Sequence, residues 1–515
     1  MAKKRQSNSQ AEGLVPSDIT LEELFAPHTD QDVMREKLVM IAREQIRTSV
    51  QYKQPRMEEV QKSIDLYNGK TKKALKGRWN VPLPYMSGFV DTSLSKTDDP
   101  PRIKFGHQDM ADLRRSRKVQ AKWDQDSSAV EGRWNEKDRQ MKKLALFYGV
   151  GIGKYFAYND GKGMYQSHFE VVDPLDFECE PMGGQNLRPH KYKGQRNIFK
   201  TKAELEAGAI GENSIYNKIQ VLRLVHAYSP GTDKTFEKLY QEKIERLKSL
   251  GFNPEGHSYV GIPVYNMTEW YMEYEGVWYY LFLEPHSGIC IRFAKLTDIF
   301  ESGEDPFEAW HTHPDPFNFW SKAPADDQRP VAEALNIMFN QLLDSRDRKI
   351  YEQRAYDPAV FEDPGALEWR PDGLVETATG ISASQAIGSG IYQLKVAGVD
   401  EGVTINLMKF VDELTGLKTG VTPGAQGESE EKRVAIYFGN LQQIADRLGL
   451  YNKAYSEFYG RIGRKYYFGL REHIKTNRMM VKMIGTRGFD WVELTKEDTE
   501  PTEDFNIEIV GGQAQ

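Results

Sequence analysis

The order of elements in the last third of the chain limits the possible folds more than any other feature. Residues 326–353, DDQRPVAEALNIMFNQLLDSRDRKIYEQ, have helical periodicity, with Pro330 in the predicted first turn. The apolar face of this helix consists of Val331, Leu335, Met338, Leu342 and Leu343. An insert rich in Gly, Pro, Ala and Ser follows at 354–398, with short predicted strands in ALEWRP and IYQLKV. The sequence therefore predicts a long helix, a small β insert, a shorter helix, a glycine loop and another helix.

The glycine loop, GLKTGVTPGAQGESEEKR at 416–433, has to be distinguished from a phosphate-binding loop. A P-loop requires a glycine immediately before Lys-Ser/Thr, so that backbone N–H groups surround the phosphates. Here Leu417 precedes Lys418 and Thr419, and the nucleotide interpretation fails at that position. Glycine and threonine give a main chain with many accessible conformations, which favours a loop that moves between fixed helices. The alternative is a surface linker.

Composition excludes several classes of protein. The 515 residues are 39% hydrophobic and 28% charged, with a net charge of −7, which is typical of a globular protein of roughly three domains. The acidic balance argues against tight wrapping of nucleic acid. Cys179 and Cys290 form no C-x-x-C pair, which argues against a disulfide framework. The N-terminal residues MAKKRQSNSQ do not resemble a signal peptide, and no apolar run predicts a membrane span.

The first 150 residues are predicted to be mainly helical. We expect a disordered arm, then a helical block from Gln31 to Asn68 that is broken near Pro55 and ends at Gly69. Residues 78–96 predict a proline-rich entry into a short helix. The charged stretch at 108–147 predicts one long helix.

The region from Tyr155 to Phe293 is predicted to be mostly β. EWYMEYEGVWYYLFLEPHSGICIRF indicates strands joined at Glu275-Gly276 and at Ser287-Gly288. One amphipathic helix, FEKLYQEKIERLKSLG, is expected to interrupt the strands. The preceding YGVGIGKYFAYND has the glycine spacing of a dinucleotide loop, but the order is helix then strand, the reverse of a Rossmann unit.

Taken together and in this order, these segments resemble the portal proteins of tailed double-stranded DNA bacteriophages. The resemblance covers about 33–509 and is carried by four segments. They are VPLPYMSGFVDTSLSK with PPRIKF, ALFYGVGIGKYFAYND with FEVVDPLDFECEP, HPDPFNFWSKAPADDQRPVAEALNIMFNQLLDSRD, and RGFDWVELTKEDTEPTEDFNIEI. Each motif is loose alone, and the sequence and spacing of the four together are specific.

The resemblance implies an α+β portal fold: a mixed α/β wing, a long helical stem, a small α/β clip insert and a helical crown, assembled as a cyclic ring. The implied parts are an N-terminal arm at 1–30, the wing at 31–327, the first stem helix at 328–353, the clip at 354–398, the second stem helix at 399–417, the tunnel loop at 418–432, a wing or channel helix at 433–450, and the crown with C-terminal strands at 451–515.

The resemblance also implies a function. Such rings, commonly of twelve subunits, occupy one capsid vertex of the virion and are made in the bacterial cytoplasm. Double-stranded DNA passes through the channel during packaging and ejection. The implied partners are the major capsid protein and scaffold, the large terminase subunit and a head-completion or tail adaptor protein, with no membrane and no cofactor.

Three sets of residues are assigned to these roles. The tunnel loop that would line the DNA channel comprises Lys418, Thr419, Gly420, Thr422, Pro423, Gly424, Gln426, Gly427 and Glu428. The crown residues expected to face DNA are Arg461, Arg464, Lys465, Arg471 and Lys475. The residues of the clip expected to dock partners are Trp369, Arg370 and Asp372. The aromatic residues interleaved with the crown cations are expected to form core rather than to stack on bases.

Two alternatives to the portal assignment remain at this point. The first is another virion structural protein, such as an adaptor or minor capsid component. The less favoured alternative is a metal-dependent hydrolase that uses His311, His313 and Asp315 of HTHPDP, with His286 completing the set. The sequence contains no recognisable nucleophile, base and orienting group, so we expect no enzymatic activity and no metal.

Overall fold

The structure is a computed structural model. It describes residues 30–70, 78–97, 102–106, 112–128, 132–159, 165–210, 214–227, 234–252, 264–313, 315–350, 354–357, 359–360, 391–393, 402, 404–409, 434–474, 479–485, 488–499 and 507–510.

The chain divides into two compact units that mix helices and sheets, in agreement with the predicted α+β class. The first unit contains residues 1–64, 90–326 and 438–515, and the second contains 65–89 and 327–437. Within the described ranges, no helix combines the length and apolar character needed to cross a membrane.

Helix α1, Asp30–Tyr67, is continuous through Pro55, so the predicted break is wrong. Proline removes one main-chain hydrogen bond, whereas burial of Ile46, Met57 and Val60 on either side stabilises a single helix. The predicted C-cap is confirmed: Gly69 has φ of 67°, and the Lys70 N–H donates to the Asp65 carbonyl at 2.8 Å.

The predicted hairpins form three adjacent strands at one side of a five-stranded antiparallel sheet, whose strands lie in chain order. The Glu275-Gly276 turn is confirmed, with φ of 52° and 77°, values that favour glycine. One face of the sheet packs on α1 through Leu38, Ala42 and Trp270. The strands are β4 Phe177–Cys179, β5 Tyr192–Thr201, β6 Val264–Tyr274, β7 Val277–Glu284 and β8 Ile289–Lys295.

The described part of this region contains more helix than the one predicted. The predicted amphipathic helix is confirmed as α7, Lys234–Ser249, with Gly251 at φ of 78° just beyond it. KIQVLRLVHA, which reads as strand, is helix α6, Lys218–Ala227, because the Asn217 side chain accepts the Gln220 N–H at 3.2 Å and starts a helix. The other short helices are α5 Lys202–Ala207 and α8 Leu296–Ile299.

The predicted helix at 108–147 is two helices, α3 Asp112–Asp126 and α4 Trp134–Tyr148. The break lies before Trp134, where Arg133 has φ of 49°, a left-handed conformation that no α-helix contains. The break allows Trp123 and Trp134 to meet edge to face, with ring centroids 4.7 Å apart.

A three-stranded antiparallel sheet, in the order β3-β2-β9, carries the second core of the first unit. Its strands are β2 Val150–Asn159, β3 Tyr165–Val172 and β9 Phe307–His311. Helix α10, Val434–His473, supplies much of this core. The predicted boundary between 450 and 451 therefore falls inside one helix, and residues 455–474 join the core of the first unit.

The last two described strands of the chain pair with different partners. Strand β13, Gly488–Leu494, pairs with β12, Met479–Gly485, whereas β14, Ile507–Val510, pairs with β1, Arg102–Phe105. Both pairs are antiparallel, so the C-terminal strand closes on an early strand of the chain.

The second unit contains the predicted stem helix, which begins earlier than expected. Helix α9 spans Pro324–Ile350, so Pro330 lies in its second turn rather than its first. Pro324 and Asp326 start the helix: the Asp326 carboxylate accepts the Ala323 N–H at 2.7 Å. Strand β10, Arg354–Tyr356, pairs with β11, Ile391–Gln393, and residues 404–409 are helical. Residues 78–84 lead into helix α2, Tyr85–Lys96.

Candidate functional site

The aromatic residues between positions 455 and 467 of α10 are core, as expected from the sequence. Tyr455, Phe458, Tyr459, Tyr466 and Tyr467 are all buried, and Phe468 is half-buried. Their rings pack on Trp123, Trp310 and neighbouring core residues. They are therefore not accessible for stacking on nucleic-acid bases.

Buried hydroxyl groups fix the helix to its surroundings. Tyr466 donates to the Asp126 carboxylate at 2.8 Å, and Tyr467 donates to the Thr499 carbonyl at 2.7 Å. Burial raises the pKa of Tyr466 well above its usual value, so the hydroxyl remains a donor. These contacts hold this part of α10 rigidly against α3 and the C-terminal region.

The predicted DNA-facing cations of α10 lie against an acidic segment, residues 301–308. The Arg461 Nε lies 2.8 Å from the Glu308 carboxylate, and the Arg464 guanidinium lies 3.4 Å from Glu304. Lys465 pairs with Glu308 at 3.2 Å and donates to the Asp305 carbonyl, and Arg471 lies 3.7 Å from Glu301. Lys475 lies outside the described residues.

This acidic segment reduces the positive potential of the helix surface. Burial alone would raise the pKa of Asp305, but Lys193 and Lys465 together lower it, so the carboxylate stays ionised and balances both cations. Phosphate contact by this face remains a prediction from the resemblance. Arg464 is 49% exposed and Lys465 only 10%, so charge reversal at Arg464 disturbs the fold least.

The three glycines that resemble a dinucleotide loop have packing roles. Gly149 ends α4 at φ of 82°, and a β-carbon there would lie 2.5 Å from the Ser321 carbonyl oxygen. A β-carbon at Gly151 would lie 2.7 Å from the Met141 side chain, and one at Gly153 would lie 2.7 Å from the Phe169 ring. The helix-then-strand order is confirmed, and close packing explains the glycine spacing.

The HTHPDP histidines lie at the end of strand β9 and just after it: His311 is the last residue of β9, and His313 follows in a bend. The His311 Nε2 lies 3.1 Å from the Gln185 carbonyl oxygen, and the His313 carbonyl accepts the Gln185 side-chain amide at 2.6 Å. His286 lies on the exposed turn between β7 and β8. Across the described residues, no group of three or more His, Cys, Asp or Glu side chains is placed to hold a metal ion.

The half-buried His311 makes stability depend on pH. Burial lowers its pKa to about 4, whereas an unfolded histidine titrates near about 6.5. The unfolded chain therefore binds more protons between these values, and stability is lost as the pH falls from about 6.5 to about 4, by roughly 3 kcal/mol. We expect His311→Gln to flatten this dependence in urea unfolding, whereas His286→Gln, on the exposed turn, should leave it unchanged. Equal slopes in the wild type and His311→Gln would contradict this assignment.

The remaining predicted sites lie outside the described residues. These are the whole tunnel loop and the three clip residues Trp369, Arg370 and Asp372. The structure does describe the base of the predicted clip, where Arg354 pairs with Gln393 and Tyr356 with Ile391 along two antiparallel strands. The chain therefore enters and leaves the insert at one place.

Sequence reasoning missed a row of polar side chains on α9. Asn336, Asn340 and Asp344 occur at four-residue intervals and accept main-chain N–H groups of residues 79–83. Two sequence signals could have revealed this contact. A polar row at i, i+4 and i+8 is unusual on a half-buried helix, and the segment VPLP has a proline at every second position.

Comparison with known protein families and with curated proteins found no match for this chain. The functional conclusion therefore rests on the order of its elements and on the contacts described above.

Proposed function

We propose that this chain is the subunit of a bacteriophage portal, a ring at one capsid vertex through which double-stranded DNA is packaged and ejected. The observation that carries the proposal is the insert between two helices. Helix α9 leads directly into β10, the insert returns through β11, and helical residues 404–409 follow. This is the arrangement expected of two stem helices separated by a clip.

The dimensions of α9 support a stem role. Its 27 residues give a length of about 40 Å at 1.5 Å per residue. Its buried positions, among them Ala325, Gln328, Ala332 and Leu335, recur every three or four residues and form one packed face. A helix of this length can connect an insert at one end to a globular unit at the other.

The first unit supplies a rigid body, as a wing requires. Buried contacts join α10 to α3, α4 and the β2-β3-β9 sheet in one core. In this proposal the wing meets the capsid and scaffold, the clip meets the terminase and later the tail adaptor, and residues 418–432 line the channel. A loop with few cations allows DNA to pass, because DNA carries a charge about every 1.7 Å and a lysine-rich constriction would bind it.

The mass of the purified particle tests the proposal. Twelve copies of the 59.1 kDa chain would weigh about 709 kDa, and native mass spectrometry should find a closed assembly near this mass. A ring of eleven or thirteen copies also fits, because closure is the requirement. A monomer at all concentrations would favour the adaptor or minor capsid alternative.

A further inference from the structure

The segment before α2 lies along α9 in an extended conformation and is held by a regular set of hydrogen bonds. The N–H groups of Trp79, Val81 and Leu83 donate to the side chains of Asp344, Asn340 and Asn336, at 2.8, 2.7 and 2.7 Å. The segment and the helix therefore run in opposite directions. Both belong to the second compact unit.

The spacing of the two partners matches. Two residues of extended chain advance about 6.2–6.8 Å, and four residues of α-helix advance about 6.0 Å, so alternate N–H groups meet every fourth helix position. Because the advances of the segment and of the helix differ little per step, the donors and acceptors stay aligned over three successive contacts. Asn340 also donates to the Val81 carbonyl at 3.1 Å and so recognises both polar groups of that residue.

Prolines restrict the segment to this single partner. The N–H groups that would point away from the helix belong to residues 80, 82 and 84, and the last two are Pro82 and Pro84. Proline has no N–H, so the outer edge of the segment cannot act as a template for another strand. The N–H groups of VPLP, at Val81 and Leu83, therefore donate only to side chains of α9.

The helix favours this register. A shift by one step towards the start of α9 would place the Leu83 N–H opposite Ala332, whose side chain offers no acceptor. The Trp79 side chain also fixes the start of the segment on the helix, because its indole Nε1 donates to Asp347. Two of the three contacts are also solvent-accessible, since Trp79 is 47% and Val81 36% exposed, whereas the Leu83 contact is part-buried because Asn336 is only 8% exposed.

We propose that residues 79–83 form a releasable strap that fixes residues 336–347 of α9 in one position and detaches without unfolding the helix. Exposed hydrogen bonds exchange readily with water, whereas α9 keeps its own main-chain bonds and its buried Ala332 and Leu335. If α9 is a stem helix, which rests on the proposed function, the strap would set when that helix is free to turn.

Hydrogen exchange of the full-length protein tests the strap. We expect the peptide covering 78–83 to exchange at least tenfold faster in the Asn336→Ala/Asn340→Ala double variant than in the wild type. Peptides from the first turns of α9 and from the β6–β7 hairpin should be unchanged. Ile337→Ala, at an exposed position between the two asparagines, is the matched control and should exchange like the wild type.

A conservative variant separates the contact from general damage. Asn340→Asp keeps an acceptor for the Val81 N–H but loses the donor to the Val81 carbonyl, so its strap should exchange faster than the wild type yet below the tenfold change that marks loss of about 1.4 kcal/mol. Unchanged exchange in the double variant would overturn the proposal. It would also be overturned if α9 and the hairpin exchanged together with the strap. The exchange rates depend on contacts within one chain, so failure of the strap proposal can be distinguished from failure of the ring proposal.

Discussion

Replacing Lys53 with methionine is expected to lower the free energy of unfolding of the first compact unit by about 3 kcal/mol, because it removes one of the two cations that pair with the buried Glu178 and leaves buried carbonyls without their donor. Arg196 remains 2.7 Å from the Glu178 carboxylate. Lys53 and Glu178 are 2% and 0% exposed, and their charged atoms lie 2.7 Å apart. The Lys53 ammonium group also donates to the Leu175 and Phe177 carbonyls at 2.8 and 2.7 Å. Burial lowers the pKa of Lys53, and Glu178 opposes that shift.

Urea unfolding of the wild type and two variants measures this effect. Lys62→Met on the same helix is the matched control: Lys62 is 59% exposed and pairs with Glu59 at 2.6 Å, so its loss should change stability by no more than about 0.5 kcal/mol. If Lys53→Met were no more destabilising than Lys62→Met, the buried pair would not anchor α1 to strand β4 and the turn before it.

The second large effect is expected at Lys142, which joins α4 to α10. Lys142 and Asp138 are each 1% exposed, with their charged atoms 2.9 Å apart. The ammonium group donates to the Thr97 carbonyl at 2.5 Å and lies 4.5 Å from the centre of the Tyr455 ring. Lys142→Met removes the cation that pairs with the buried Asp138 carboxylate, and we expect a loss of about 3–5 kcal/mol.

The double variant Lys142→Met/Asp138→Asn provides the internal control. It removes both charges, so at least half of the lost stability should return. Hydrogen exchange of a peptide within 455–470 should increase in the single variant and fall back in the double variant. If the single variant were as stable as the wild type, α10 would not depend on this pair. The prediction of a crown separate from the core of the first unit would then stand.

Local sequence signals predicted much of the fold. The Glu275-Gly276 turn, the cap at Gly69 and the amphipathic helix ending at Gly251 each depend on residues within a few positions of one another. The boundaries failed where tertiary packing overrides local preference. Pro55 lies inside a continuous helix because its flanks are buried, and a cap at Asn217 turns a strand-like run into a helix.

The contacts that connect distant parts of the chain could not be predicted. Lys53 and Glu178 are 125 positions apart, and Val81 and Asn340 are 259 positions apart. Periodicity within one element carries no information on which distant residue completes a buried pair or a polar row. The basic face of α10 was visible in the sequence, but its acidic partner at 301–308 was not.

Cryo-electron microscopy of the purified protein tests the central claim most directly. We expect end-on views of a closed ring with an axial channel, and density for residues 418–432 at the narrowest point of that channel. Isolated single chains, or a ring whose outer perimeter carries this segment, would contradict the account.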